Sequence, residues 1–529
     1  MKSRLSVQEK RALWVLTAVV LISRSAFALL NDHLIFGTVF VDDAFYALSV
    51  ARHIALGHGF TADGIHPTNG FQPLNTLLQS VCFFIAGGDR FNGVRWCFVL
   101  SALIEVAFIW AIAILISKMH RTQEPQGWWH SAAVIAATMQ TFVFTLFAMH
   151  SNGLETALAS LMIVLVISNY DEIRTKREKG NAPTAANFLW LGFLCGFLVL
   201  ARLDGAVLVL IFAVLELRFP NGFRNAVIIG GVGFLISSPW WLYGLFQFGS
   251  LMPISGQSES FLPWSTQALL DAANALQDIF LFWIPRWHFV FPQWVSLPVA
   301  TVTVGLMAMI LRRIGFLKTM RASYDLRPLT PLLIFGMFLF IYYTFLFRAP
   351  WFLDRYWHPI EMRWMFLMAI AVSMLIPKIQ SLIEHGHTGM LTIGSLFILI
   401  VIAVNLRMDR RPYVPQVPAD LAEIGFWAQK HPNVSVGVLQ SGAAGFLADN
   451  VINLDGKVNL DALHARQQDS LGAYILRMNF EYLADEQGFL DPTLQKAARL
   501  GCYYDQVDSI RSVRIFRRSN IADSFFRSP

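Results

Sequence analysis

Charge is scarce in this sequence. Only 14% of its 529 residues are Asp, Glu, Lys or Arg, against about 25% in an ordinary soluble chain, while 55% are hydrophobic. The apolar residues fall into repeated, nearly charge-free runs of about 17–25 residues, the length that crosses hydrocarbon. One large soluble core is thereby excluded. Cysteine is scarce too: of four, Cys82, Cys97 and Cys195 lie in apolar stretches and Cys502 stands alone near the C-terminus, so no disulfide framework follows. Internal repeats and low-complexity tracts are absent. The net charge of +6 does not point to nucleic acid, because its Lys and Arg gather in short loops between apolar segments, where membrane orientation is encoded.

What is present is a polytopic, mostly α-helical membrane protein. Apolar windows predict about eleven transmembrane helices, near 12–30, 93–117, 131–147, 154–169, 187–201, 204–217, 226–246, 291–311, 329–347, 359–376 and 389–406. The first has a basic start and no small-residue cleavage site, which reads as an uncleaved span. Residues 72–86 are apolar but short, and carry Gln72, Asn75 and Gln79. Charge decides their placement. If they lie in the interface, the loops 1–11, 118–130, 170–186, 218–225, 312–328 and 377–388 face the cytoplasm and hold 18 Lys and Arg in 78 residues. The loops 31–92, 148–153, 201–204, 247–290 and 348–358 then face outward with 6 in 127. A twelfth span at 72–86 would invert this bias. The N-terminus is therefore expected inside and the C-terminus outside.

Composition changes at MDRRPYVPQVP (408–418), whose prolines disfavour a continuing helix. A membrane domain over 1–407 and an extracytoplasmic soluble α/β domain over 408–529 are expected. In the latter, VSVGVLQ (434–440) reads as a buried strand, SGAAG as a small-residue turn and VINLDG as a second strand. LQKAARLG reads as a helix capped by Gly501.

Four polar clusters are not explained by a lipid-facing surface, and the charge-derived topology sets all four on the outer side. Asp42 and Asp43 begin the helix-like run AFYALSVARHIAL, which stops at GHG. N-capping of that helix explains one acid well; two adjacent carboxylates at a lipid–water boundary also suit general-base work. MHSNGLETAL (149–158) sets Asn152 and Glu155 at a tight turn, where an acid is also favourable at a helix N-terminus. ARLDGA (201–206) puts Arg202 and Asp204 at a hairpin tip, where they can satisfy each other. FRAPWFLDRYWHPIEMRW (347–364) carries Arg355, Tyr356, Trp357 and His358, residue types that also anchor helix ends by snorkelling. Ionisable groups gathered at one membrane boundary mark a functional site.

The run DDAFYALSVARHIALGHGFTADGIHPTNGFQPL, followed by NGLETAL, resembles the C-superfamily of membrane glycosyltransferases, nearest the bacterial branch of arabinofuranosyltransferases of cell-wall assembly. The resemblance covers residues 1–160 well and the later spans loosely. It implies a polyprenyl-phosphate-linked sugar donor, a glycan, lipid or protein acceptor, and an active site facing away from the cytoplasm of a bacterial inner membrane. It further implies interfacial helices at 44–56 and 72–86, an acidic first-loop base among Asp42 and Asp43, and Glu155 as a second-loop acid. Arg355, His358 and Arg202 are candidates for the donor phosphate; Asn69, Asn152, Tyr356 and Trp357 are candidates for substrate contacts. A carboxylate to take the acceptor proton and cations to hold a departing phosphate suffice for inversion. No cofactor is expected; the carboxylates could hold a divalent cation, but metal is not expected. The competing readings are a lipid-linked polysaccharide polymerase or ligase, which would lean on basic and His residues, and a transporter, which would show repeat symmetry and mid-membrane charges.

Overall fold

The computed structural model describes residues 5–121, 127–259, 266–281, 315–347, 353–384, 416–499 and 503–519, with isolated positions between 298 and 312. The expected span at 389–406, most of that at 291–311, the proline-rich junction up to residue 415, Gly501 and Cys502 lie outside the described residues.

Among the described residues the helices of the membrane part include α1 (Val7–Ser25), α2 (Asp42–Ala55), α3 (Pro73–Ile85), α4 (Arg90–Met119), α5 (Ala132–Phe142), α6 (Phe144–Ser151), α7 (Thr156–Glu178), α8 (Ala185–Ala201), α9 (Ala206–Glu216), α10 (Gly222–Phe248), α11 (Ile254–Glu259), α12 (Thr266–Phe280), α13 (Thr330–Ile341) and α14 (Leu353–Glu384). Among the described residues six helical segments are long and apolar enough to cross a membrane, and seven if α5 and α6 make one span. That pair is bent by 68°, where a single span over 131–147 was expected. Val143 between them is extended (φ −77°, ψ 119°). The break frees carbonyls, and Arg24 donates to one of them, that of Thr141, at 2.8 Å. Arg24 also pairs with Glu105 at 3.1 Å, both side chains buried, so the charge inside the bundle is neutralised by a partner. Helix α9 has 11 residues, a rise of about 16 Å, well short of the ~30 Å hydrocarbon core. The α8–α9 pair packs on α10 through Gly192 and Gly196: a Cβ at Gly196 would sit 2.6 Å from that of Ile236. Small residues four apart let backbones approach this closely.

The two ends of the bundle differ in chemistry. At the end of α7, Arg174 pairs with Asp171 and Asp325, and Arg177 with Glu216. The segment after α4 joins the same end, with Arg121 N–H donating to Ser323 and Asp325 N–H to Met119. At the opposite end lie α2, α3, the 152–155 turn, the 202–205 turn and the C-terminal domain.

That domain contains α15 (Gln416–Gln429), β1 (Val436–Val438), α16 (Gly442–Leu447), β2 (Val451–Asn453), α17 (Leu460–Gln467), α18 (Leu471–Met478), β3 (Tyr482–Glu486), α19 (Gln487–Arg499), β4 (Tyr504–Ile510) and β5 (Val513–Arg518). The sheet order is β2-β1-β3-β5-β4, with β1 parallel to β2 and β3, and β5 antiparallel to β3 and β4. The two expected strands are β1 and β2. SGAAG, expected as a turn, instead opens helix α16: the Asp42 carboxylate accepts N–H bonds from Gly442 and Ala443 at 3.2 and 2.8 Å, satisfying donors that a helix start leaves open. The domain does not hang free. Phe36, Phe45 and Leu48 of the first loop share one buried core with Leu421, Val436, Phe446 and Ile515.

Candidate active site

A cavity of about 460 Å³ opens at the end of the bundle that carries the C-terminal domain. Asp43 and Tyr46 of α2, Glu155, Arg202 and Asp204, Glu259 of α11, Tyr343, Arg355 and Tyr356, and Lys457 of the C-terminal domain contribute to its wall. Its apolar side is formed by residues such as Val207, Trp241, Phe338 and Phe347.

Each element delivers its residue for a local reason. Asp42 and Asp43 occupy the first turn of α2, whose N-cap is Val41 with no side-chain capping bond; neither acid caps its own helix. Successive helical residues project about 100° apart, so the two carboxylates part company. Asp42 turns to the N-terminus of α16, where burial pushes its carboxyl up to about 8 against the pull of the Ala443 N–H. Asp43 faces the cavity and meets Lys457 Nζ at 3.1 Å. Glu155, 5% exposed, is the N-cap residue of α7 and makes no side-chain capping bond. The 152–155 turn is tied to the start of α2 by the Val41 N–H donating to the Asn152 carbonyl, and is closed on itself by the Leu154 N–H donating to Asn152 Oδ1.

Arg202 is held by Asp204 through three contacts of 2.9–3.1 Å and donates to the Arg355 carbonyl at 2.9 Å. Tyr343 Oη donates to Asp204 at 2.9 Å. Arg355 Nη2 donates to Tyr356 Oη at 3.1 Å, and Tyr356 stacks on Tyr343 with centroids 3.9 Å apart. Lys457 Nζ lies 3.1 Å from Asp43 and 3.1 Å from Glu259. Burial works against its charge, but Asp43, Asp455 and Glu259 outweigh it and hold the ammonium well above the ordinary lysine range.

Of the residues singled out in the sequence, the cavity gathers Asp43, Glu155, Arg202, Arg355 and Tyr356. The others stand behind its wall. Asp42 is spent on α16. His358 is buried between His150, at 3.1 Å, and Glu361, at 2.7 Å. Trp357 is fully buried against Phe340. Asn69 accepts from Ile254 N–H at 2.9 Å, fixing the start of α11, and Asn152 shapes its own turn. The sequence reading missed Lys457, Glu259, Tyr46 and Tyr343. Tyr343 lies in an apolar run, and Lys457 is 414 positions from Asp43, so no local pattern reveals either.

No protein-family model and no curated protein matches the chain. Among solved structures it is similar to ArnT from Cupriavidus metallidurans in the apo state, at 14% identity and a TM-score of 0.51 over 89% of this chain and 92% of that one. It is also similar to the same protein bound to undecaprenyl phosphate, at 12% identity and a TM-score of 0.50 over 96% and 97%. At such identities the likeness is one of fold, and it extends over nearly the whole chain.

Proposed function

We propose that this chain is a membrane glycosyltransferase that moves a sugar from a polyprenyl-phosphate donor to a glycan, lipid or protein acceptor, with inversion at the anomeric carbon. The observation that carries the reading is the cavity itself. Its lining brings together the carboxylates of Asp43 and Glu155, the guanidinium of Arg355 and apolar side chains such as Val207, Phe338 and Phe347, in a fold similar to that of a protein solved bound to undecaprenyl phosphate.

The chemistry needs little more. Asp43 takes the proton of an acceptor hydroxyl; the acceptor oxygen bonds to the anomeric carbon as its bond to the phosphate oxygen breaks; polyprenyl phosphate leaves. Glu155 is the second carboxylate in reach of the acceptor. Arg355, a planar donor fork, suits the departing phosphate, whereas Arg202 is committed to Asp204 and supports Arg355 through its carbonyl. With cations of the chain itself at the site, no cofactor is required. We place the protein in a bacterial inner membrane with cavity and C-terminal domain on the extracytoplasmic side, from the loop-charge bias. The test is a panel of polyprenyl-phosphate sugars offered to membranes holding the folded protein. Transfer from one of them is the expected result. Silence with every donor, while the purified protein binds no polyprenyl phosphate, overturns the reading.

A further inference from the structure

We propose that the C-terminal domain completes the catalytic centre: Lys457 is a positioning residue that fixes the Asp43 carboxylate for the acceptor. The inference rests on the glycosyltransferase reading above.

Lys457 is delivered by a turn built with unusual density between β2 and α17. Asn453 Oδ1 accepts the Gly456 N–H at 2.9 Å, and Asp455 Oδ1 accepts the Lys457 N–H and Asn453 Nδ2 at 2.8 Å each. Asn459 Nδ2 closes the turn on the Asn453 carbonyl at 2.9 Å. Gly456 is left-handed (φ +82°), and a Cβ there would meet the Leu463 backbone at 2.7 Å. The turn is keyed into the first loop at two points. Tyr46 Oη donates to Asp455 Oδ2 at 3.2 Å while accepting the Ser441 N–H at 3.0 Å. Gly70 lies so close that a Cβ would stand 1.9 Å from the Lys457 carbonyl oxygen.

Anchoring the domain does not require this lysine. The shared core, the Asp42 bonds to α16 and the Arg90–Asp449 pair at 2.6 Å already hold it. Among the described residues Lys457 brings one ammonium within 3.1 Å of carboxylates on two other elements, Asp43 on α2 and Glu259 on α11. Without it these two anions repel across the cavity. With it, Oδ1 of Asp43 is held and Oδ2 takes the acceptor proton.

The test compares full-length wild type, Lys457→Met and Lys457→Arg in transfer assays, with hydrogen exchange at Gly442–Leu447 reporting domain docking. Lys457→Met is expected to lose kcat on the order of 10²-fold, the scale of a misplaced catalytic group, with donor KM and docking unchanged. Lys457→Arg is expected to restore part of the loss. Unchanged kcat in Lys457→Met, or a loss that tracks undocking, overturns the proposal. If Lys457→Met does not fold, Lys457→Gln combined with Glu259→Gln, which keeps the local charge balanced, replaces it with the same expected outcome. A wild type silent on every donor overturns the glycosyltransferase reading instead. Lys457 is then judged on melting temperatures of Asp43→Asn, Lys457→Met and the double variant, where strictly additive shifts remove the coupling.

Discussion

Asp42 accepts backbone N–H bonds from the C-terminal domain, whereas Asp43 meets a cation at the cavity wall. Asp43→Asn is therefore expected to lower turnover by on the order of 10²–10⁴-fold, the usual contribution of a general base, while binding of polyprenyl phosphate stays near wild type. Asp42→Asn, which can still accept through its amide oxygen, is expected to keep most of the turnover. Equal losses in both would show that the pair acts as a unit. Arg355→Ala is expected to weaken binding of sugar-free polyprenyl phosphate by about 2–5 kcal/mol, and Arg355→Lys to recover only part, because the fork is lost. Arg202→Ala removes the guanidinium that holds Asp204 and the Arg355 carbonyl and leaves Asp204 with the Tyr343 hydroxyl, so the melting temperature falls along with lipid affinity; affinity lost at an unchanged melting temperature would make Arg202 a direct ligand. Part of the cavity lining was legible in the sequence, as acids at helix starts and an arginine at a helix head. The direction of each side chain was not, because Asp42 and Asp43 are equivalent until the partner of α2 is known.

Elements were legible where their pattern is local. The helices expected at 44–56 and 72–86 are present as α2 (Asp42–Ala55) and α3 (Pro73–Ile85); the first was legible as the helix-like run that stops at GHG and the second as a short apolar run. The bend at Val143 was not legible, because neither Pro nor Gly marks it; the freed Thr141 carbonyl is taken by Arg24, more than a hundred residues away. SGAAG failed for the same reason. Small residues read as a turn until Asp42 supplies the acceptor that their N–H groups need. Close backbone approach gives a test at this scale. Gly70→Ala forces a methyl against the Lys457 carbonyl, an overpacking that typically costs about 1–3 kcal/mol. Faster hydrogen exchange in residues 453–459 and reduced turnover are expected, with helix content unchanged. Exchange at the wild-type rate would mean that the loop moves aside and the turn is not keyed there.

At the scale of the molecule, loop charge sorted the chain well. The segments at 118–121, 171–178 and 323–327, read as one side, converge at one end of the bundle, and the four polar clusters converge at the other. Sequence composition changes at 408–418 but could not reveal that the core beneath the C-terminal sheet continues into Phe36, Phe45 and Leu48 of the first loop, since that contact spans the whole chain. The junction of the two parts is expected to respond to pH. Asp42 is half-buried there, and its desolvation raises its carboxyl from 3.8 to about 8. When the domain undocks, Asp42 meets water and returns toward its ordinary value near 4. Between those two values the docked state binds more protons than the undocked one, so docking weakens as pH rises through about 4 to 8 and is flat on either side. Asp485, raised to about 7 by burial against the N–H bonds of Gln440 and Glu486, adds a change of the same sign only if the domain itself unfolds. Hydrogen exchange at Gly442–Leu447 across this range separates the two: in wild type, protection falls toward pH 8, and in Asp42→Asn, which cannot ionise, it stays level. A level profile in wild type would mean that Asp42 is ionised when docked, with the Gly442 and Ala443 N–H groups compensating its burial in full.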